Sequence, residues 1–118
     1  MEIYRFDSEV GKEISQYYSN FTMTRIIKTQ KEAQIGCMHL ESQGIIGFHQ
    51  AVVPQLLLIV SGEGFVTGDN RIRVPVKSGD AVFWQKGEGH ETTTDTGLMA
   101  IVIESEELTP SEYMVIKK

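Results

Sequence analysis

Cys37 is the only cysteine in the sequence, so no disulfide can close within the chain and no cysteine-rich zinc site can form. That scarcity fits a reducing compartment. Basic residues are also few: 11 Lys and Arg against 16 Asp and Glu give a formal net charge of -5. A chain this acidic lacks the broad basic field that phosphate backbones demand, which excludes nucleic acid as an expected partner. Anionic membrane surfaces are disfavoured for the same reason. Long apolar runs are missing too. The run Leu56 to Val60 is far short of the ~20 residues that span a bilayer. Met1 to Asp7 carries acidic residues and no apolar stretch, so it does not read as a secretory signal. No long repeat, low-complexity segment or helix-turn-helix pattern is present. The expectation is a soluble, cytoplasmic protein.

What remains is one ordinary domain. The 118 residues leave no room for a second, and 41% hydrophobic with 23% charged residues is the balance of a globular chain. Most of it reads as short strands punctuated by Gly, Asp and Asn. The expected strands are Phe21 to Thr29, Ala33 to Glu41, Ile45 to Ala51 and Gln55 to Ser61, the last following Pro54. A break at Gly62-Glu63-Gly64 precedes Phe65 to Thr67, and a hairpin turn at Gly68-Asp69-Asn70 leads into Arg71 to Val76. Ala81 to Gln85, Glu91 to Thr94 and Leu98 to Glu104 complete the set. Asp7 to Tyr18 suits one or two helical turns, or a loop or edge segment. Residues 106–118 mix charge with Tyr113, Met114, Val115 and Ile116, which suit an edge strand or a subunit contact. So many short strands imply an all-β sandwich or closed barrel.

Two stretches carry a more specific pattern. His49, Ala51, Gln55 and Gly62 stand where a first motif of the form His-x-His, Glu, Gly would place its residues, with Gly44 one place from the opening Gly. Gly79, Gln85, Gly87, His90 and Thr94 stand where a second motif of Gly, Pro-x-Gly, His, Asn would place its own. These spacings resemble the paired motifs of the cupin superfamily over roughly Ala33 to Ile103. The intervening Glu63 to Ser78 has the length of the hairpin in small bacterial cupins. Ala51 replaces a His, Gln55 a Glu, Gln85 a Pro and Thr94 an Asn. The resemblance implies a double-stranded β-helix, or jelly-roll barrel. A single cupin domain would then occupy 1–118, with a barrel core at about 21–105 and extensions at 1–20 and 106–118. It also implies a homodimer paired through N-terminal strands, here Phe21 to Thr29.

Residues 49 and 51 lie on one face of a strand, because side chains alternate with period two. In a barrel that face points inward, and Gln55 can return to the same wall after Pro54. Gly87 and Gly89 give the backbone freedom to place His90. The expected pocket is therefore His49, Ala51, Gln55 and His90, with Trp84 and Phe83 as an aromatic wall or, more simply, as barrel core or a subunit interface. By the resemblance, a divalent transition metal (Fe, Mn, Ni or Zn) would take His49, Gln55 and His90 as ligands: two nitrogens and one neutral oxygen, a weaker set than three His and a Glu. The plainer reading makes His49 a hydrogen-bonded barrel-mouth histidine, Gln55 a satisfied polar group or a ligand contact, and His90 a solvated loop residue.

Cys37, His39 and Glu41 share another face, read as a core Cys and an edge His; the alternative makes His39 a general base in the pocket. Arg71 and Arg73 share a face that suits an anion or, more simply, solvent. Function stays open between two classes. One is a small-molecule-binding cupin, with or without metal, acting as a dioxygenase or isomerase if it is an enzyme. The other is a non-catalytic sensor or binding module with a degenerate, metal-free motif. Sugar chemistry with a His base and a Tyr acid is disfavoured, since Tyr4, Tyr17, Tyr18 and Tyr113 all lie outside the motifs.

Overall fold

The run Leu56-Leu57-Leu58-Ile59 does not alternate, because both faces of its strand are covered. The computed structural model, which describes residues 1–118, shows how. Eleven strands form: β1 (Glu2–Arg5), β2 (Lys12–Ile14), β3 (Phe21–Met23), β4 (Ala33–Leu40), β5 (Ile45–Gln50), β6 (Gln55–Thr67), β7 (Val74–Lys77), β8 (Asp80–Trp84), β9 (Gly89–Thr93), β10 (Leu98–Ser105) and β11 (Val115–Ile116). There is no α-helix, only three short 3-10 turns at Ser8–Val10, Gln16–Tyr18 and Pro110–Glu112. The fold is all-β.

One wall of the barrel runs β11-β1-β8-β6-β10-β4. The other joins β5, β9, the far half of β6, and β7. Leu57, Ile59, Val82, Trp84, Ala100 and Val102 point between the walls and meet Val66 and Val76 from the second. Leu56, Leu58, Ala81, Phe83 and Ile103 point the other way, and the two chain ends cover them with Tyr4, Leu108 and Met114. The C-terminal cover is pinned by Lys117, whose Nζ donates to the buried Asp80 carboxylate at 2.7 Å.

Several expectations change here. Gly62-Glu63-Gly64 is no break: β6 continues through it while leaving one wall for the other. Up to Gly62 it pairs with β8 and β10, and from Glu63 with β7 and β9. Gly62 bends at φ +83°, where a Cβ would run into the Gly97 backbone. Phe21 to Thr29 is strand only over Phe21–Met23, because its partner β2 offers three residues; beyond it Ile26 and Ile27 pack on the outer core. Glu2–Arg5, within the expected extension, is an internal strand between β8 and β11. The hairpin at Gly68 to Asn70 forms, but its second strand begins only at Val74. Arg71 sits at φ +59°, and the Asn70 side chain accepts from the Ile72 amide. Val115–Ile116 does form an edge strand.

Candidate functional site

β5 and β9 are antiparallel, and His49 lies directly across from His90. Between the pairs Ile46–Thr92 and His49–His90, β5 has one residue more than β9. This bulge, at Gly47 and Phe48, resets the alternation so that His49 joins His90, Thr92 and Thr94 on the inner face. The two imidazole centroids are 4.3 Å apart, and the His90 ring lies 4.7 Å from Trp84, tilted 31°. Trp84 is fully buried and its indole N–H donates to the Thr67 carbonyl at 3.0 Å. His90 therefore sits between an exposed histidine and the barrel core.

The loop before His90 is fixed from three sides. The Ala51 amide donates to the Glu88 carbonyl, and the Gly87 amide donates to the Ala51 carbonyl. The Glu88 carboxylate takes the N-terminal ammonium and the Gln85 amide. The Gly89 amide donates to Asp69. His90 is consequently an ordered strand residue with 1% of its surface exposed, not a solvated loop residue.

Each imidazole has its tautomer set by a carbonyl, which can only accept. Nδ1–H of His49 donates to the Gly47 oxygen at 2.7 Å, and that of His90 to the Glu88 oxygen at 3.2 Å. In the neutral rings Nε2 is then a bare lone pair. For His90 that atom is shut off from solvent and has no hydrogen-bond partner; Thr67 Oγ1 is the one other buried side-chain polar atom so placed. Burial holds the His90 pKa below its ordinary 6.5; the Glu88 carbonyl opposes this and the neighbouring His49 adds to it.

No family model and no curated protein matches the chain. Solved structures do. A cupin superfamily protein from Desulfitobacterium hafniense is 15% identical over 68% of this chain and 72% of its own, with a TM-score of 0.60. A Klebsiella pneumoniae protein with a double-stranded β-helix domain is 15% identical over 81% and 84%, TM-score 0.57. A predicted oxalate decarboxylase from Thermotoga maritima is 28% identical over 58% and 62%, TM-score 0.54. The chain has the cupin fold.

Within the cupin barrel, Gln55 points inward beside Trp84, its partner across β6 and β8. No hydrogen bond joins it to either imidazole. Ala51 is buried just past the end of β5, against the 85–89 loop. The structure thus gathers His49, His90 and Trp84 in contact and sets Gln55 on the same face. No group of three His, Cys, Asp or Glu side chains is close enough to share a metal. The donors at hand are two Nε2 lone pairs and the neutral Gln55 amide, which fits a labile metal at most.

Register along β10 reveals two residues the sequence reading passed over. Leu98, Ala100 and Val102 point inward, so Glu104 does too, with Gln34 on one side and Gln55 on the other. The inner face of this wall therefore carries a row Gln34, Glu104, Gln55, Trp84. Glu104 acts electrostatically on His90. Alternation through Leu98-Ala100-Val102 was the available signal. A cavity of about 720 Å³ opens beside Gln34 and Glu104 and is bordered also by Val52 and Val53; Gln55, Trp84 and the two imidazoles lie behind its lining.

Cys37 and His39 fall on the opposite parity of β4, pairing with Ile101 and Met99, and both are exposed. The core reading of Cys37 and the pocket reading of His39 are both corrected. Arg71 and Arg73 lie over the rings of Phe48 and Phe65 at 3.8 and 4.1 Å, covering the outer surface of the second wall.

Proposed function

We propose that the barrel mouth binds a small polar molecule through His49, His90 and Gln55, with Trp84 as its rigid backing. The observation that carries this is His90 Nε2: a buried acceptor without a partner disfavours the empty site by about 1–3 kcal/mol. A ligand donor that reaches this atom would satisfy it. Binding is preferred over dioxygenase or isomerase chemistry because no carboxylate or thiolate lies close enough to share a metal with the two imidazoles. The fold shared with a predicted oxalate decarboxylase carries no substrate across. A divalent metal would be held by the two Nε2 atoms and the Gln55 amide oxygen, weakly, and would supply Lewis acidity at the mouth.

His90→Leu tests the proposal. The Glu88 carbonyl keeps its bond from Ala51, so the variant leaves no new orphan there. Its stability should match or exceed the parent's by about 1 kcal/mol in chemical denaturation, an apolar residue replacing an unpaired acceptor. A loss above about 2 kcal/mol, the range of a core defect, would contradict the binding role. The pH profile should change with it. The folded His90 pKa lies below 6.5, so the unfolded chain takes up the proton first on acidification. Its contribution is therefore complete above pH 6.5 and declines as pH falls from there through the folded value. The variant should lose that part of the slope.

We also propose a homodimer formed through the N-terminal segment, where Phe21 and Met23 are exposed on β3 beside the 94%-exposed Tyr17. Sedimentation equilibrium at micromolar concentration should return twice 13.3 kDa. A monomer mass would remove the interface.

A further inference from the structure

We infer that Glu104 completes the barrel-mouth site and sets its ligand class: a small molecule carrying a protonated amine. This rests on the reading of the mouth as a binding site and adds what it selects. The row across the inner wall and the facing histidines offer mostly acceptors. His49 and His90 present bare Nε2 atoms in their neutral tautomers, Glu104 presents a carboxylate, and the flanking amides of Gln34 and Gln55 can turn their oxygens inward. Apart from the two amide NH2 groups these are all acceptors, and such a set favours a donor-rich ligand.

The charges point the same way. Glu32, Glu104 and Glu106 border the cavity against the single ammonium of Lys31 at its exposed rim. Glu104 has no ion-pair partner, and the N-terminal ammonium, Arg5 and Lys117 are engaged elsewhere. A carboxylate ligand would meet Glu104 at close quarters, whereas an ammonium would find there an inward-facing charge of opposite sign. The buried, unpartnered His90 Nε2 is an independent sign that this end of the barrel awaits a hydrogen-bond donor.

Three probes of equal size separate the possibilities: protonated 2-aminoethanol, ethylene glycol and glycolate, each titrated into the isotope-labelled full chain at pH 7.5. Signals from Gln34, Val53, Glu104 and the two imidazoles are followed. The amine should bind about tenfold more tightly than either of the others, a difference of about 1.4 kcal/mol. Glu104→Gln should erase that preference, and Glu104→Asp, which keeps the charge, should retain it. Glycolate or glycol matching the amine on the parent overturns the assignment, as does a preference that survives Glu104→Gln in a folded variant. If that variant does not fold, the ranking on the parent decides. If none of the three moves these signals, the binding reading of the mouth falls and the ligand class with it.

Discussion

Trp84→Ala should lose about 3–5 kcal/mol of stability, the range for deleting a fully buried indole. The effect should be larger than that of any change at His49, although both residues touch His90. Trp84 joins Val82, Leu57 and Ala100 in the inner core, backs the His90 ring at 4.7 Å and donates to the Thr67 carbonyl. Removing it leaves a cavity, an unpaired carbonyl and a histidine with nothing behind it. Trp84→Phe keeps most of the packing and loses the hydrogen bond, so it should fall between the two, within about 1–3 kcal/mol of the parent. Urea denaturation of the three proteins gives the ordering. A loss below about 1 kcal/mol for Trp84→Ala would mean that the indole does not anchor the site.

The second large effect is a gain. Ala51→His with Gln55→Glu adds an imidazole and a carboxylate beside His49 and His90, restoring the ligand types that the cupin resemblance implies. The double variant should bind Ni(II) or Zn(II) far more tightly than the parent. At a thousandfold excess over Kd, metal bound only by the folded state adds about 4 kcal/mol of stability. The parent should gain little, since it offers two nitrogens and one neutral oxygen. Adding His49→Ala to the double variant should remove most of the gain. Scanning calorimetry with and without metal reads all three. No metal response in a folded double variant would mean that positions 51 and 55 do not converge with the histidines; Ala51, held by the 85–89 loop, is the position at which this is decided.

The fold was legible because its signals are local. Gly79 and Gly87 mark positive-φ turns at φ +96° and +85°, and the strand between them, β8, is short and largely apolar. The inward partners of His49 were less legible, for a topological reason. Alternation within β5 placed His49 and Ala51 on one face, but the strand ends at Gln50, and the bulge at Gly47 decides which way His49 points. Bulges follow from cross-strand register, which a single sequence does not display. Glu104 was missed for a related reason: its significance comes from lying between Gln34 and Gln55, residues distant in the chain. Glu2–Arg5 was unreadable as a strand because four residues show too little alternation; pairing with β8 defines it. Cys37 looked like core because cysteine usually is, yet β4 is the edge of its wall and its outer face stays open.

The central claim is that His49 and His90 face each other at the mouth, with Nδ1 protonated and Nε2 bare, and that burial depresses the pKa of His90. Imidazole 15N–1H correlation spectra recorded from pH 8 to pH 5 test it directly. The account predicts the Nδ1–H tautomer for both rings at pH 8, a contact between their ring protons, and a His90 midpoint below 6.5. His90 in the Nε2–H tautomer, or titrating at or above 6.5, would contradict it.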